Sequence, residues 1–101
     1  MTIQSEQCDQ NPKVVFISGR LDTASSSEFD VKVHELVDGS ADIILDFKDL
    51  SYISSSGLHV LIQAHKKLTA NNRKLIIRNA NGLVSDVFKM TGFCKIVTME
   101  G

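Results

Sequence analysis

Three consecutive apolar residues, Ile43, Ile44 and Leu45, constrain the fold of this chain more than any other feature. A strand that is apolar on both faces is typical of the covered parallel strands of α/β proteins. After a short loop, apolar residues recur at helical spacing between positions 58 and 68. The pattern predicts a buried strand, a loop and a helix, with a hydroxyl cluster at residues 54–57 between them. Open α/β sheets place their sites at such strand-to-helix junctions.

Length and charge narrow the class of protein. A chain of 101 residues predicts a single domain spanning residues 1–101. With 11 basic and 12 acidic side chains, it lacks the basic excess of a nucleic-acid-binding surface. Its apolar runs are short, so we expect neither a membrane span nor a secretory signal. Cys8 and Cys94 fit no metal-ligand spacing, and we expect two reduced thiols in a cytoplasmic protein.

Further strands and helices follow from periodicity and turn signals. We predict an edge strand near residues 3–8, a turn at 9–12 and an antiparallel strand over 13–18. The capping-box pattern Ser25-Ser26-Ser27-Glu28 predicts a helix that begins near Ser25 and stops at Gly39. A strand over 74–78, a helix over 83–91 ended by Gly92 and a strand over 95–98 complete the chain. The predicted fold is α/β, with the order β-β-α-β-α-β-α-β and helices packed on a mixed, mostly parallel sheet.

The serine cluster has a structural interpretation and a functional one. Serine is a favoured N-cap residue, so at least one of Ser54, Ser55 and Ser56 should bind an amide of the helix. A hydroxyl at that end also lies near the positive end of the helix dipole, where a phosphate would be tolerated. Gly57 costs about 1 kcal/mol relative to alanine inside a helix, so close packing by a partner or a neighbouring strand is expected.

Catalysis by this chain is not expected. The junction carries neither a Gly-x-Ser-x-Gly elbow nor a nucleotide-binding glycine motif. His34, His59 and His65 are scattered and suit no metal site, and we expect no cofactor. Asp46 and Asp49 are interpreted as solvated loop acids rather than an acid-base pair. His59 should point outward near Ser55, as part of a contact surface.

Taken together, several motifs resemble the STAS domain family over nearly the whole length. They are the strand order, Gly19-Arg20-Leu21-Asp22 after the second strand, Ser54-Ser55-Ser56-Gly57-Leu58 before the second helix, and Met90-Thr91-Gly92-Phe93. More narrowly, the chain is similar to free-standing bacterial anti-sigma factor antagonists. The resemblance implies partner switching: an anti-sigma factor with serine kinase activity phosphorylates Ser55, and a serine phosphatase resets it. The unphosphorylated form would bind the kinase and release a sigma factor.

The resemblance also assigns roles to individual residues. Asp22 matches a family aspartate near the phosphorylation site, which implies that it holds the acceptor hydroxyl or helps the kinase to read it. Its alternative is a polar turn residue before a helix. Ser54 stands where the family commonly has aspartate, so Ser56 is the second candidate for the acceptor. The predicted partner surface comprises Asp22, Ser54, Ser55, Ser56, Gly57 and His59.

Two expectations stay open at this level. Family members usually add a helix after the last strand, and this chain is expected to lack it, with either a monomer or a dimer as a result. The alternative function is a non-catalytic STAS interaction subunit of a lipid-transport or stress-signalling complex, without regulatory phosphorylation.

Overall fold

The computed structural model describes residues 2–6, 13–37, 41–80 and 82–100. No helix within these ranges is long and apolar enough to cross a bilayer. The described elements, in chain order, are β1 Thr2–Glu6, β2 Lys13–Leu21, α1 Thr23–Leu36, β3 Ile43–Asp46, β4 Leu50–Ile53, α2 Ser55–Ala70, β5 Leu75–Arg78, α3 Gly82–Thr91, a 3-10 turn Phe93–Lys95 and β6 Thr98–Glu100.

The sheet has the order β1-β2-β3-β5-β6. β1 runs antiparallel to β2, whereas β2, β3, β5 and β6 are mutually parallel neighbours. All four residues of β3 are buried, which explains its uninterrupted apolar run. The predicted α/β class and mixed, mostly parallel sheet are therefore confirmed.

One strand was missed by the sequence analysis. Residues 50–53, predicted as loop, form β4, which pairs in parallel with the end of β2 through Leu21 and Ile53. Only Leu50 and Ile53 of this short segment are buried. The sequence therefore shows neither the strict alternation nor the long apolar run that would predict a strand. Because β4 ends beside the end of β2, it delivers residue 54 to the carboxyl edge of the sheet.

Several predicted boundaries were wrong. β2 extends to Leu21, so Gly19, Arg20 and Leu21, which the sequence placed after this strand, are its last residues and pair with β4. α1 begins at Thr23, because Asp22 is the N-cap and Ser25 closes the capping box from position N3, so Glu28 does not take that role. β6 begins at Thr98 rather than at residue 95, because the preceding residues form a 3-10 turn. The turn at 9–12, Cys8 and Gly39 lie outside the described residues.

The core lies between the sheet and the helices. Val15 and Ile17 of β2 are fully buried, whereas Phe16 between them is 38% exposed, so one face of this strand is covered and the other is open. Helix α1 contributes Phe29 and Val33 to the core. The buried residues of α2 are Gly57, Leu58, Val60, Leu61, Ala64 and Leu68.

Helix α3 is anchored by an aromatic cluster. The Phe88 ring lies 6.1 Å from the Phe47 ring and 5.0 Å from the Phe93 ring, centroid to centroid, in tilted arrangements. All three side chains are at most 1% exposed. Tilted aromatic pairs add about 0.5–1.5 kcal/mol beyond their buried area.

The cluster predicts a large cost for truncating Phe88. Phe88→Ala should lower the free energy of unfolding by about 3–5 kcal/mol, since it leaves a cavity between two rings. Met90→Ala, on the 81% exposed side chain two positions away in the same helix, is the matched control and should change it by less than about 0.5 kcal/mol. Urea denaturation measures both, and equal unfolding midpoints for the two variants would contradict the assignment. If Phe88→Ala does not fold, Phe88→Leu provides the smaller truncation.

Candidate functional site

The carboxyl ends of β2 and β4 meet the amino end of α2. The backbone N–H of Ser54 donates to the carbonyl oxygen of Leu21 at 2.8 Å, which ties the start of α2 to the end of β2. The sequence predicted a site at a junction after β3. Since β4 intervenes, the junction instead lies at the end of β4, beside β2.

Ser54 is the N-cap of α2. Its Oγ accepts from the backbone N–H of Gly57 at 3.1 Å, and its carbonyl oxygen accepts from the N–H of Leu58 at 2.9 Å. The residue is only 8% exposed. Of the three serines, Ser54 therefore has the capping role that the sequence assigned to at least one of them.

Ser55 and Ser56 occupy the first two positions of α2. Ser55 is exposed and Ser56 is half-buried. Within the described ranges, neither hydroxyl forms a hydrogen bond to another residue. The first turn of α2 contains no acidic residue, so no side-chain charge there compensates the positive end of the helix dipole. Ser55 thus combines an accessible hydroxyl with a local field that favours an anion.

Gly57 lies against the end of β2. A Cβ atom built on it would come within 2.7 Å of Leu21 Cγ and 3.2 Å of Ile53 Cγ1. The sequence left open whether this glycine allows close approach of a partner or of a neighbouring strand. The geometry supports the neighbouring strand. The same contact fixes the height of the first turn of α2 above the sheet.

A groove runs between the amino ends of α1 and α2. Its volume is about 390 Å³, and it is lined by Ser26, Ser27, Asp30, Ser55, Ser56, His59 and Val60. His59 is exposed, as predicted from its position on the first turns of α2. On the opposite wall, the Asp30 Oδ1 atom lies 2.9 Å from His34 Nε2.

The α1 wall of this groove was missed by the sequence analysis. The sequence predicts Ser26 and Ser27 only as part of a capping box and predicts no role for Asp30. The i, i+4 spacing of Ser26 and Asp30 places them on one face of α1, which was a usable signal. What the sequence could not provide is that this face lies opposite the first turns of α2.

Asp22 binds within the first turn of α1. Its Oδ1 accepts from the backbone N–H and from the hydroxyl of Ser25, both at 2.9 Å. These two hydrogen bonds, followed by the charge of Arg20, hold the pKa of the Asp22 carboxyl below its usual range. Asp22 does not line the groove that contains Ser55; it borders a separate concavity with Arg20 and Glu28. The geometry supports the interpretation of Asp22 as a polar residue that caps a helix. A role for Asp22 in recognition by a kinase stays a prediction.

Fold and sequence place the chain in a known family. Residues 3–101 match the model of the STAS domain, so the chain belongs to the STAS domain family. The anti-sigma-B factor antagonist of Bacillus subtilis is 28% identical over 92 residues, covering 91% of this chain and 84% of the relative.

Solved structures have the same fold. The unphosphorylated form of the anti-sigma factor antagonist SpoIIAA superimposes with a TM-score of 0.82 at 24% identity, covering 97% of this chain and 87% of that protein. The phosphorylated form of the Bacillus cell fate determinant SpoIIAA gives a TM-score of 0.74 at 23% identity, covering 97% and 90%. These similarities establish the fold of the chain.

The contact between Gly57 and Leu21 can be tested by a double-mutant cycle. Gly57→Ala should destabilise the protein by about 1–2 kcal/mol, because overpacking outweighs the better helix propensity of alanine. In a Leu21→Ala background the two closest atoms are gone and Ile53 Cγ1 at 3.2 Å is the remaining close contact, so the same change should be nearly neutral. Urea unfolding of the wild type, both single variants and the double variant gives the coupling energy, expected above about 1 kcal/mol. Additive effects would refute the contact.

The Asp22 cap predicts a specific acid sensitivity. Hydrogen bonds from Ser25 hold the pKa of the Asp22 carboxyl below its ordinary value, so the charged carboxylate stabilises the folded state above that ordinary pKa, and this stabilisation is lost as the pH falls through the lowered pKa. Asp22→Asn keeps a capping oxygen but removes the charge. The stability difference between wild type and this variant should therefore be constant above about pH 5 and shrink below about pH 4. Urea titrations at several pH values measure it, and a difference that does not change with pH would contradict the mechanism.

Proposed function

We propose that this chain is an anti-sigma factor antagonist that acts by partner switching. Unphosphorylated, it binds an anti-sigma factor with serine kinase activity and causes a sigma factor to be released. Phosphorylation of Ser55 prevents that binding, and a serine phosphatase restores it. The observation that carries this proposal is that Ser55 presents an exposed hydroxyl at the first position of α2, whereas the hydroxyl of Ser54 is buried in the cap. A kinase partner that uses ATP implies a cytoplasmic protein, and the chain itself is proposed to be non-catalytic.

Similarity to proteins of this class supports the proposal. The Bacillus subtilis relative is named an anti-sigma-B factor antagonist, and the similar SpoIIAA fold has been determined in phosphorylated and unphosphorylated forms. All of these matches span most of the chain, including the junction that contains Ser55.

The proposed chemistry is transfer of a phosphoryl group. The Ser55 Oγ atom forms a bond to the γ-phosphorus of ATP, the bond from that phosphorus to the bridging oxygen breaks, and ADP leaves. The hydroxyl proton passes to a base supplied by the kinase, since Asp22 is engaged with Ser25 and Asp30 with His34. The product carries about −1.5 to −2 charges at the amino end of α2, where the helix dipole favours them.

The same charge explains how binding would be lost. A partner that covers Ser55 must remove water from the phosphate, and each 1.4 kcal/mol of that cost lowers the affinity tenfold. A few kcal/mol therefore suffice to switch partners, without any refolding of this chain. Ser54 supplies the cap without the charge of the family's usual aspartate, so the phosphate would be the sole negative charge on the first turn of α2.

Phosphate mapping tests the assignment of Ser55. After incubation with the cognate kinase and ATP, mass spectrometry should locate phosphate on Ser55; Ser55→Ala should abolish it and Ser56→Ala, the matched control, should keep it. Ser55→Asp should weaken binding to the kinase at least tenfold, since it places a charge in the desolvated surface. Phosphate found only on Ser56, or full binding by Ser55→Asp, would overturn the assignment.

The same experiment separates the alternative function. A non-catalytic interaction subunit of a lipid-transport or stress-signalling complex would carry no regulatory phosphate. If no serine is phosphorylated and Ser55→Asp leaves partner binding unchanged, the partner-switching function is wrong and the alternative is favoured.

A further inference from the structure

His59 lies one helical turn after Ser55 on the same face of α2, and both line the groove between α1 and α2. Side chains at positions i and i+4 of a helix are neighbours, with Cβ atoms about 5–6 Å apart. We propose that His59, in its protonated form, is the positioning residue that holds the phosphoryl group once Ser55 carries it. This inference rests on the proposed phosphorylation of Ser55 and adds an ion pair within the chain to it.

The other charged groups of the groove make His59 the suitable partner. Among the described residues that line the groove, Asp30 and His59 are the ionisable ones. Asp30 would repel a phosphate, and its carboxylate is already 2.9 Å from the imidazole of His34. His34, which does not line the groove, is thus paired with Asp30, whereas the His59 side chain forms no hydrogen bond within the described ranges.

The charges that border the groove favour one orientation of the phosphate. Ser55 is exposed and precedes the half-buried Ser56, and the groove beside them is open to solvent. A phosphate turned toward His59 would lie along α2 and away from Asp30 on α1. Attraction to His59 and repulsion from Asp30 both favour this orientation over one in which the phosphate extends straight into solvent.

The expected strength follows from charge and distance. For a phosphate dianion and an imidazolium on neighbouring turns of a helix, about 5–6 Å apart and exposed to water, Coulomb attraction should lower the midpoint of the second phosphate ionisation by about 0.3–1 pH unit. The imidazolium stabilises the dianion, so the second ionisation of the phosphate should occur at a lower pH. Salt should weaken the effect because both groups are solvated.

The test uses the full chain with phosphoserine incorporated at position 55 during synthesis. A ³¹P NMR titration gives the midpoint of the second phosphate ionisation. We expect this midpoint to be higher in His59→Gln than in wild type by about 0.3–1, with His59→Lys at or below wild type and His59→Glu highest of all. The difference should shrink in about 0.5 M salt.

Lys66→Gln is the matched control, because it also removes a positive charge from an exposed position of α2, but outside the groove. Its midpoint should equal that of wild type. If the four residues at position 59 give the same midpoint, or if Lys66→Gln shifts it as much as His59→Gln does, His59 does not hold the phosphate and the inference is wrong.

The two proposals fail in different ways. The titration needs no kinase, so a kinase that does not phosphorylate Ser55 would refute the proposed function and leave the ³¹P result intact. Conversely, a midpoint independent of residue 59 would refute the ion pair and leave phosphate mapping and partner binding unaffected.

Discussion

The close approach of α2 to the end of β2 is the constraint on which the site depends. Gly57 allows it, because any side chain at that position would overlap Leu21. The hydrogen bond from Ser54 N–H to the Leu21 carbonyl oxygen fixes the same contact from the backbone. With the first turn of α2 held in this way, Ser54 is buried in the cap and Ser55 is turned outward. The identity of the exposed serine is thus a consequence of packing beneath it.

The two helices that form the groove begin with different caps. α1 uses a charged aspartate, whose bonds to Ser25 lower its pKa, whereas α2 uses a neutral serine. A carboxylate at the start of α2 would compensate the dipole permanently. The neutral cap leaves that compensation to a group that can be added and removed, which agrees with the proposed role of Ser55.

Elements defined by apolar periodicity were predictable, and those defined by neighbours were not. β3 follows from a short apolar run, and α2 and α3 follow from apolar stripes at helical spacing. β4 was missed because its pairing with β2 determines it, and four residues carry too little pattern. The start of α1 was placed too late because Asp22 and Ser25 are both good capping residues, and their hydrogen bonds decide between them. Likewise, the serine cluster could be read from sequence, whereas its α1 wall depends on how two distant segments pack.

The close packing of Gly57 against Leu21 has a consequence for how this protein could transmit a signal. The first turn of α2 is packed directly against the sheet. Adding a charge to this turn is therefore expected to move the helix very little. In the proposed switch the two forms would therefore differ in electrostatic potential at nearly constant shape. In such a protein the phosphate itself records whether the kinase or the phosphatase acted last. The lifetime of each form is then set by the rates of these two enzymes and not by a conformational relaxation of the fold.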